Sequence, residues 1–70
     1  MREEYKEELI YQLQTTGKVI FIHYGSYYDV FLNSSCEYEY SIYEDFGEEL
    51  RDGGVLECTA RETIETLIEG

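Results

Sequence analysis

The side chains that could move protons near neutral pH or hold a soft metal are few: one histidine, His23, and two cysteines, Cys36 and Cys58. A thiol or hydroxyl nucleophile needs a base placed beside it. His23 instead stands in KVIFIHYG, a β-branched and aromatic stretch in which a structural histidine is expected. The cysteines form no CxxC pair, and with a lone histidine they match no familiar zinc spacing. Two small buried thiols are the expectation, ahead of a disulfide. Carboxylates are so numerous that any two could be paired as general acid and base, which strips that signal of specificity. EDFGEELRDGG offers oxygen ligands and glycines but lacks the D-x-[DN]-x-[DN]-G spacing of a calcium loop. Gly53-Gly54 lacks the lysine and spacing of a phosphate-binding loop. The sequence therefore predicts no catalytic group, no cofactor and no metal.

Charge is the stronger chemical signal. Sixteen acids against five bases give a net charge of -11, beyond the magnitude of about 2 to 8 that serves a small soluble domain. The excess must repel itself in the folded state. DNA and anionic membranes carry the same sign, so direct binding to either is not expected. Basic proteins attract it, and in a cell these are chiefly nucleic-acid-binding proteins. The acids crowd between residues 37 and 57: Glu37, Glu39, Glu44, Asp45, Glu48, Glu49, Asp52 and Glu57, against Arg51 alone.

These groups must be carried by a small frame. Seventy residues make one domain, and at this size only about 60% of the unfolded surface is buried. From Arg2 to Thr16, Tyr5, Leu9 and Leu13 recur at helical spacing with Ile10 beside them, and Gly17 offers a stop. Lys18 to Tyr24, Tyr27 to Leu32 and Cys36 to Tyr43 read as strands, joined by turns at Gly25-Ser26 and Asn33-Ser34-Ser35. Glu49 to Arg51 and Val55 to Cys58 could each add a short strand. Thr59 and Glu62 have capping-box spacing, and Ala60, Ile64, Leu67 and Ile68 then form one apolar stripe. The expected fold is α+β: an N-terminal helix, a three- or four-stranded antiparallel meander and a C-terminal helix, both helices on one sheet face. The longest strongly apolar run, Val19 to Ile22, is too short to span a membrane, and no signal peptide is read, so the expected compartment is the cytoplasm.

Alternation then assigns the strand faces. Tyr28, Val30 and Leu32 suit the core, as do Cys36, Tyr38, Tyr40 and Ile42. The first strand is apolar on both sides. The open face is expected to carry Phe21, Tyr27, Phe31 and Tyr43 beside Asp29, Glu37 and Glu39. Exposed aromatics edged with acids exceed what solubility requires and suit a protein interface; the other expectation is that the acidic loop folds over them.

Outward residues two apart on a strand lie about 6.6 Å from each other, a spacing comparable to that of successive phosphates. A basic groove that accepts a phosphate backbone could accept such a row of carboxylates. The expected contact set is Asp29, Glu37, Glu39, Glu44, Asp45, Glu48, Glu49, Asp52 and Tyr43, with Phe21, Tyr27 and Phe31 as a candidate dimer face. In size, charge and helix–sheet–helix order the whole chain resembles the small acidic DNA-mimic inhibitors of bacteriophages. These include anti-CRISPR proteins, uracil-DNA glycosylase inhibitors and a phage inhibitor of the nucleoid protein HU. The resemblance is one of character, without a shared motif. It implies competitive occupation of a basic host protein's nucleic-acid site, with HU the first candidate. The alternative is an interaction module or homodimer acting through the aromatic sheet face.

Overall fold

The computed structural model describes residues 2–44 and 49–69. Helix α1 (Glu3–Thr16) is followed by four strands, β1 (Lys18–His23), β2 (Ser26–Leu32), β3 (Tyr38–Glu44) and β4 (Glu49–Leu56), and by helix α2 (Ala60–Glu69). The strands form one antiparallel sheet in the order β1-β2-β3-β4. The α+β architecture expected from the sequence is present, with the fourth strand complete.

Local chemistry sets each boundary. Gly17 ends α1 at φ 79°, donating its N–H to Leu13 O over 3.0 Å, a left-handed cap that glycine adopts without a Cβ penalty. The β1–β2 hairpin turns on Tyr24 and Gly25, both at positive φ, the backbone that a two-residue hairpin needs to match strand twist. The turn thus sits one residue earlier than Gly25-Ser26. Between β2 and β3, Asn33 Oδ1 accepts the backbone N–H groups of Ser35 and Glu37. Cys36 donates its N–H to Asn33 O at φ 61°. This Asx-type turn takes Cys36 out of the strand and leaves it exposed, correcting the expectation of an inward thiol. At α2, Thr59 Oγ1 accepts the Glu62 N–H (3.1 Å) and Glu62 Oε1 accepts the Thr59 N–H (3.2 Å), the reciprocal capping box read from the sequence.

The core lies between the helices and one sheet face. Leu9, Ile10 and Leu13 of α1 meet Val19, Phe21, Tyr28, Val30 and Ile42 of the sheet and Ala60 and Ile64 of α2. Tyr5, expected in the α1 stripe, is exposed. Phe21 and Tyr28 are cross-strand partners whose rings stack at 4.8 Å. His23 Nε2 lies 3.3 Å from the Ile68 carbonyl, so the histidine serves as a tie to the last turn of α2. The helices are also clipped by charge: Arg61 forks onto both oxygens of Glu7 at 2.6 and 2.7 Å, and Lys6 Nζ lies 3.3 Å from Glu65. Among the described residues no helix is long and apolar enough to cross a membrane.

Strand β4 is continuous through Gly53-Gly54, where the sequence had suggested two fragments around a loop. Both glycines have packing reasons. A Cβ on Gly54 would meet the Tyr40 hydroxyl at 2.9 Å, and one on Gly53 would meet Tyr40 O at 3.1 Å. Tyr40, opposite Gly54 in register, lies across the space that a side chain there would fill.

Candidate protein-binding face

Because the helices cover one sheet face, strand alternation turns the other outward. Register places its residues in cross-strand rows: Lys18–Phe31–Glu39–Val55, then Ile20–Asp29–Ser41–Gly53, then Ile22–Tyr27–Tyr43–Leu50. Ile20, Ile22, Phe31, Leu50 and Val55 are 43%, 53%, 38%, 62% and 49% exposed, so one sheet face carries five large apolar side chains open to solvent, interrupted by Asp29, Ser41, Gly53 and Glu39. Tyr27 and Tyr43 are half-buried and meet edge to face at 6.1 Å.

Phe21, expected on this face, is in the core at 3% exposure. Strand β1 is apolar on both sides, so its own pattern could not choose. Pairing of Phe21 with core-facing Tyr28 decides, and Ile20 and Ile22 take the outer positions. Tyr27, Phe31 and Tyr43 are where the sequence put them.

The acids divide among three places. Asp29 is central on the open face, half-buried, and its Oδ1 is shut off from solvent with no hydrogen-bond partner. An acceptor left so costs a fold about 1–3 kcal/mol. Glu39 lies on the same face and accepts a hydrogen bond from Asn33 Nδ2 at 3.1 Å. Glu37 sits in the turn before β3, and its carboxyl meets that of Glu57, just beyond β4. The hydrogen bond they share and the charge of Glu37 hold the Glu57 carboxyl above the usual glutamate range. Ser35, Cys36 and Cys58 line the same recess, yet both cysteines are free.

Glu44 and Glu49 face each other at the far end of β3 and β4, with Arg51 Nε 3.5 Å from Glu44. Asp52 stands opposite core-facing Ile42 and, with Tyr28, Tyr40, Arg51, Thr66 and Leu67, lines a groove of about 270 Å³ on the helix side. Simple alternation along β4 from Gly54 puts it there, so Asp52 does not continue a row with Glu37 and Glu39; the register shift beyond it, at Ile42/Tyr43, sets Leu50 rather than Arg51 opposite Tyr43. Asp45 and Glu48 lie outside the described residues.

Ile20, Ile22 and Gly53 belong to this surface but were not assigned to it by sequence, and Glu57 was counted among the crowded acids but not in the expected contact set. For Glu57 the signal was the hairpin register, which sets it against Glu37 only if β4 runs unbroken through two glycines. Among the described residues, no group of three or more histidine, cysteine or carboxylate side chains is arranged to hold a metal. No protein-family model, curated protein or solved structure matches the chain.

Proposed function

We propose that the protein is a DNA-mimic inhibitor that occupies the nucleic-acid-binding surface of a basic host protein in the bacterial cytoplasm, the nucleoid protein HU being the first candidate. The observation that supports this most is the placing of its few cations. Lys6 and Arg61 are engaged in pairing the helices, and Arg51 is drawn to Glu44. Lys18 stands at the β1 edge of the open face, so negative charge is left at the opposite, β3–β4 edge, where Glu37 and Glu57 press two carboxyls together and Glu39 stands two residues beyond Glu37. Adjacent strands lie about 4.8 Å apart and alternate residues on one strand about 6.6 Å, so these groups offer a basic groove a phosphate-like pattern. Lysines and arginines that hold DNA would pair with them, and DNA would be displaced by competition.

Labelled duplex bound to purified HU tests the reading. Wild-type protein displaces it at low salt and loses that power as salt rises, because exposed pairs are screened beyond a Debye length of about 10 Å at 0.1 M. Reversing Glu37→Lys and Glu39→Lys together abolishes displacement while circular dichroism shows the fold retained. Undiminished displacement by that double variant would sink the reading for this surface.

The exposure of Ile20, Ile22, Phe31 and Val55 favours a second reading, an interaction module or homodimer acting through the open sheet face. A dimer in sedimentation that ignores salt and weakens on Phe31→Ala would support it.

A further inference from the structure

The open face has a relief that its charge pattern alone does not convey. Its middle row runs Ile20–Asp29–Ser41–Gly53. Toward the β4 edge that row is low: Gly53 has no side chain, and Ser41 Oγ would lie 3.9 Å from a Cβ placed there. On either side stand larger residues, Glu39 and Val55 on one flank and Tyr43 and Leu50 on the other. A shallow trough therefore crosses β4 and β3 and ends at Asp29 on β2. Its length is two strand spacings, about 10 Å. At its inner end is the one buried side-chain oxygen among the described residues that has no hydrogen-bond partner, Asp29 Oδ1.

We propose that this trough receives an arginine of a basic partner, whose stem lies over Gly53 and Ser41 and whose guanidinium pairs with Asp29. Arginine fits on three counts. Its long apolar stem suits a floor walled by Val55 and Leu50. Its planar guanidinium carries several N–H donors and so can pair with a carboxylate from more than one side; pairing with Oδ1, which is shut off from solvent in the free chain, requires the surrounding side chains to shift. The rings of Tyr27, Tyr43 and Phe31 around Asp29 are surfaces on which a guanidinium packs favourably.

Charge selects the partner. A second copy of this chain brings a further net charge of -11 and sets Asp29 against another acidic face. Lys18, at the corner of the same face opposite Phe31, forms no ion pair among the described residues. The chain thus leaves Asp29 for an outside cation. The inference rests on the basic partner proposed above but does not require that partner to bind nucleic acid.

The test uses a short synthetic peptide with one central arginine between valines and lysines at its ends, titrated into isotope-labelled protein by NMR. The expected result is amide shifts at Asp29, Ser41 and Gly53. Replacing the arginine by citrulline, which keeps the shape and removes the charge, should weaken binding about ten- to a hundredfold. Asp29→Asn should do the same while keeping or raising the melting temperature, since it removes an unpaired carboxylate. Ser41→Val should block the trough in a chain that still folds, because Ser41 is an outward strand position that suits a β-branched side chain. Equal affinity for the citrulline peptide or the Asn variant overturns the proposal, as do shifts confined to Glu37 and Glu57, or a dimer that buries the face. Peptide binding as described without displacement of DNA from HU leaves the trough standing and rejects the mimic. DNA displacement untouched by Asp29→Asn does the reverse.

Discussion

Glu57 shows how one carboxyl can report on the whole surface. Its pKa is raised by the hydrogen bond and charge of Glu37, so its stabilising contribution belongs to the protonated form. That contribution is present below the usual glutamate value of 4.5 and is lost as pH rises through the higher folded-state value. The melting temperature of the wild type should therefore fall across the interval just above 4.5, and Glu57→Gln should be more stable than wild type at pH 7, with the gap closing in acid. Thermal scans across that pH range check both; a variant indistinguishable from wild type at every pH would mean the two carboxyls do not interact in solution. A cationic partner reverses the local field, so binding should release a proton near that interval, measurable by calorimetry in buffers of differing ionisation enthalpy. Glu7 is the opposite case: its hydrogen bond to Arg61 pulls its carboxyl below the usual range. Its contribution is present above 4.5 and fades as pH falls through its own lowered value.

At the scale of the element, the capping box and strand β4 make distinct demands. Thr59→Ala removes the hydroxyl that accepts the Glu62 N–H and should cost about 1 kcal/mol, read from chemical denaturation with an unchanged slope. Thr63 is fully buried and donates to Thr59 O, so the start of α2 stays anchored and the loss should remain local. Strand β4 depends on Tyr40 lying over Gly54. Gly54→Ala puts a methyl group 2.9 Å from the Tyr40 hydroxyl and should cost about 1–3 kcal/mol through overpacking. Tyr40→Leu in the same chain should recover part of that loss. If Gly54→Ala is neutral alone, the tyrosine does not hold this position.

Across the whole molecule, a thin core holds a heavily charged shell. Ile64 and Leu13 are fully buried where the two helices meet the sheet. Ile64→Ala should cost about 2–5 kcal/mol, which a domain this small can hardly spare. Self-repulsion from the net charge of -11 acts against the same core. Moderate salt should therefore raise the melting temperature of the free protein while weakening its hold on the proposed basic partner. Opposite responses to one variable separate screening from a general salt effect on folding. A melting temperature that falls as salt is added would show that the helix ion pairs outweigh the repulsion.

Helix positions, the Thr59–Glu62 cap, the antiparallel order and the acidic character were all legible in the sequence, because each is set by residues within about a turn or a hairpin of one another. The alternation of β2 and β3 likewise put Tyr27, Asp29, Phe31, Glu39 and Tyr43 on one face. What stayed hidden required partners distant in the chain. Strand β1 is apolar at every inner position, so only pairing with β2 could send Phe21 inward and Ile20 and Ile22 outward. Gly53-Gly54 reads as a loop until Tyr40 is seen to cover it, and only then does β4 run straight enough to bring Glu57 to Glu37 and to open the trough beside Asp29. Composition determined that this protein carries a large net negative charge; register and packing, which act between strands rather than along them, decided where the carboxylates stand and left, among the described residues, one buried carboxylate oxygen, Asp29 Oδ1, without a hydrogen-bond partner.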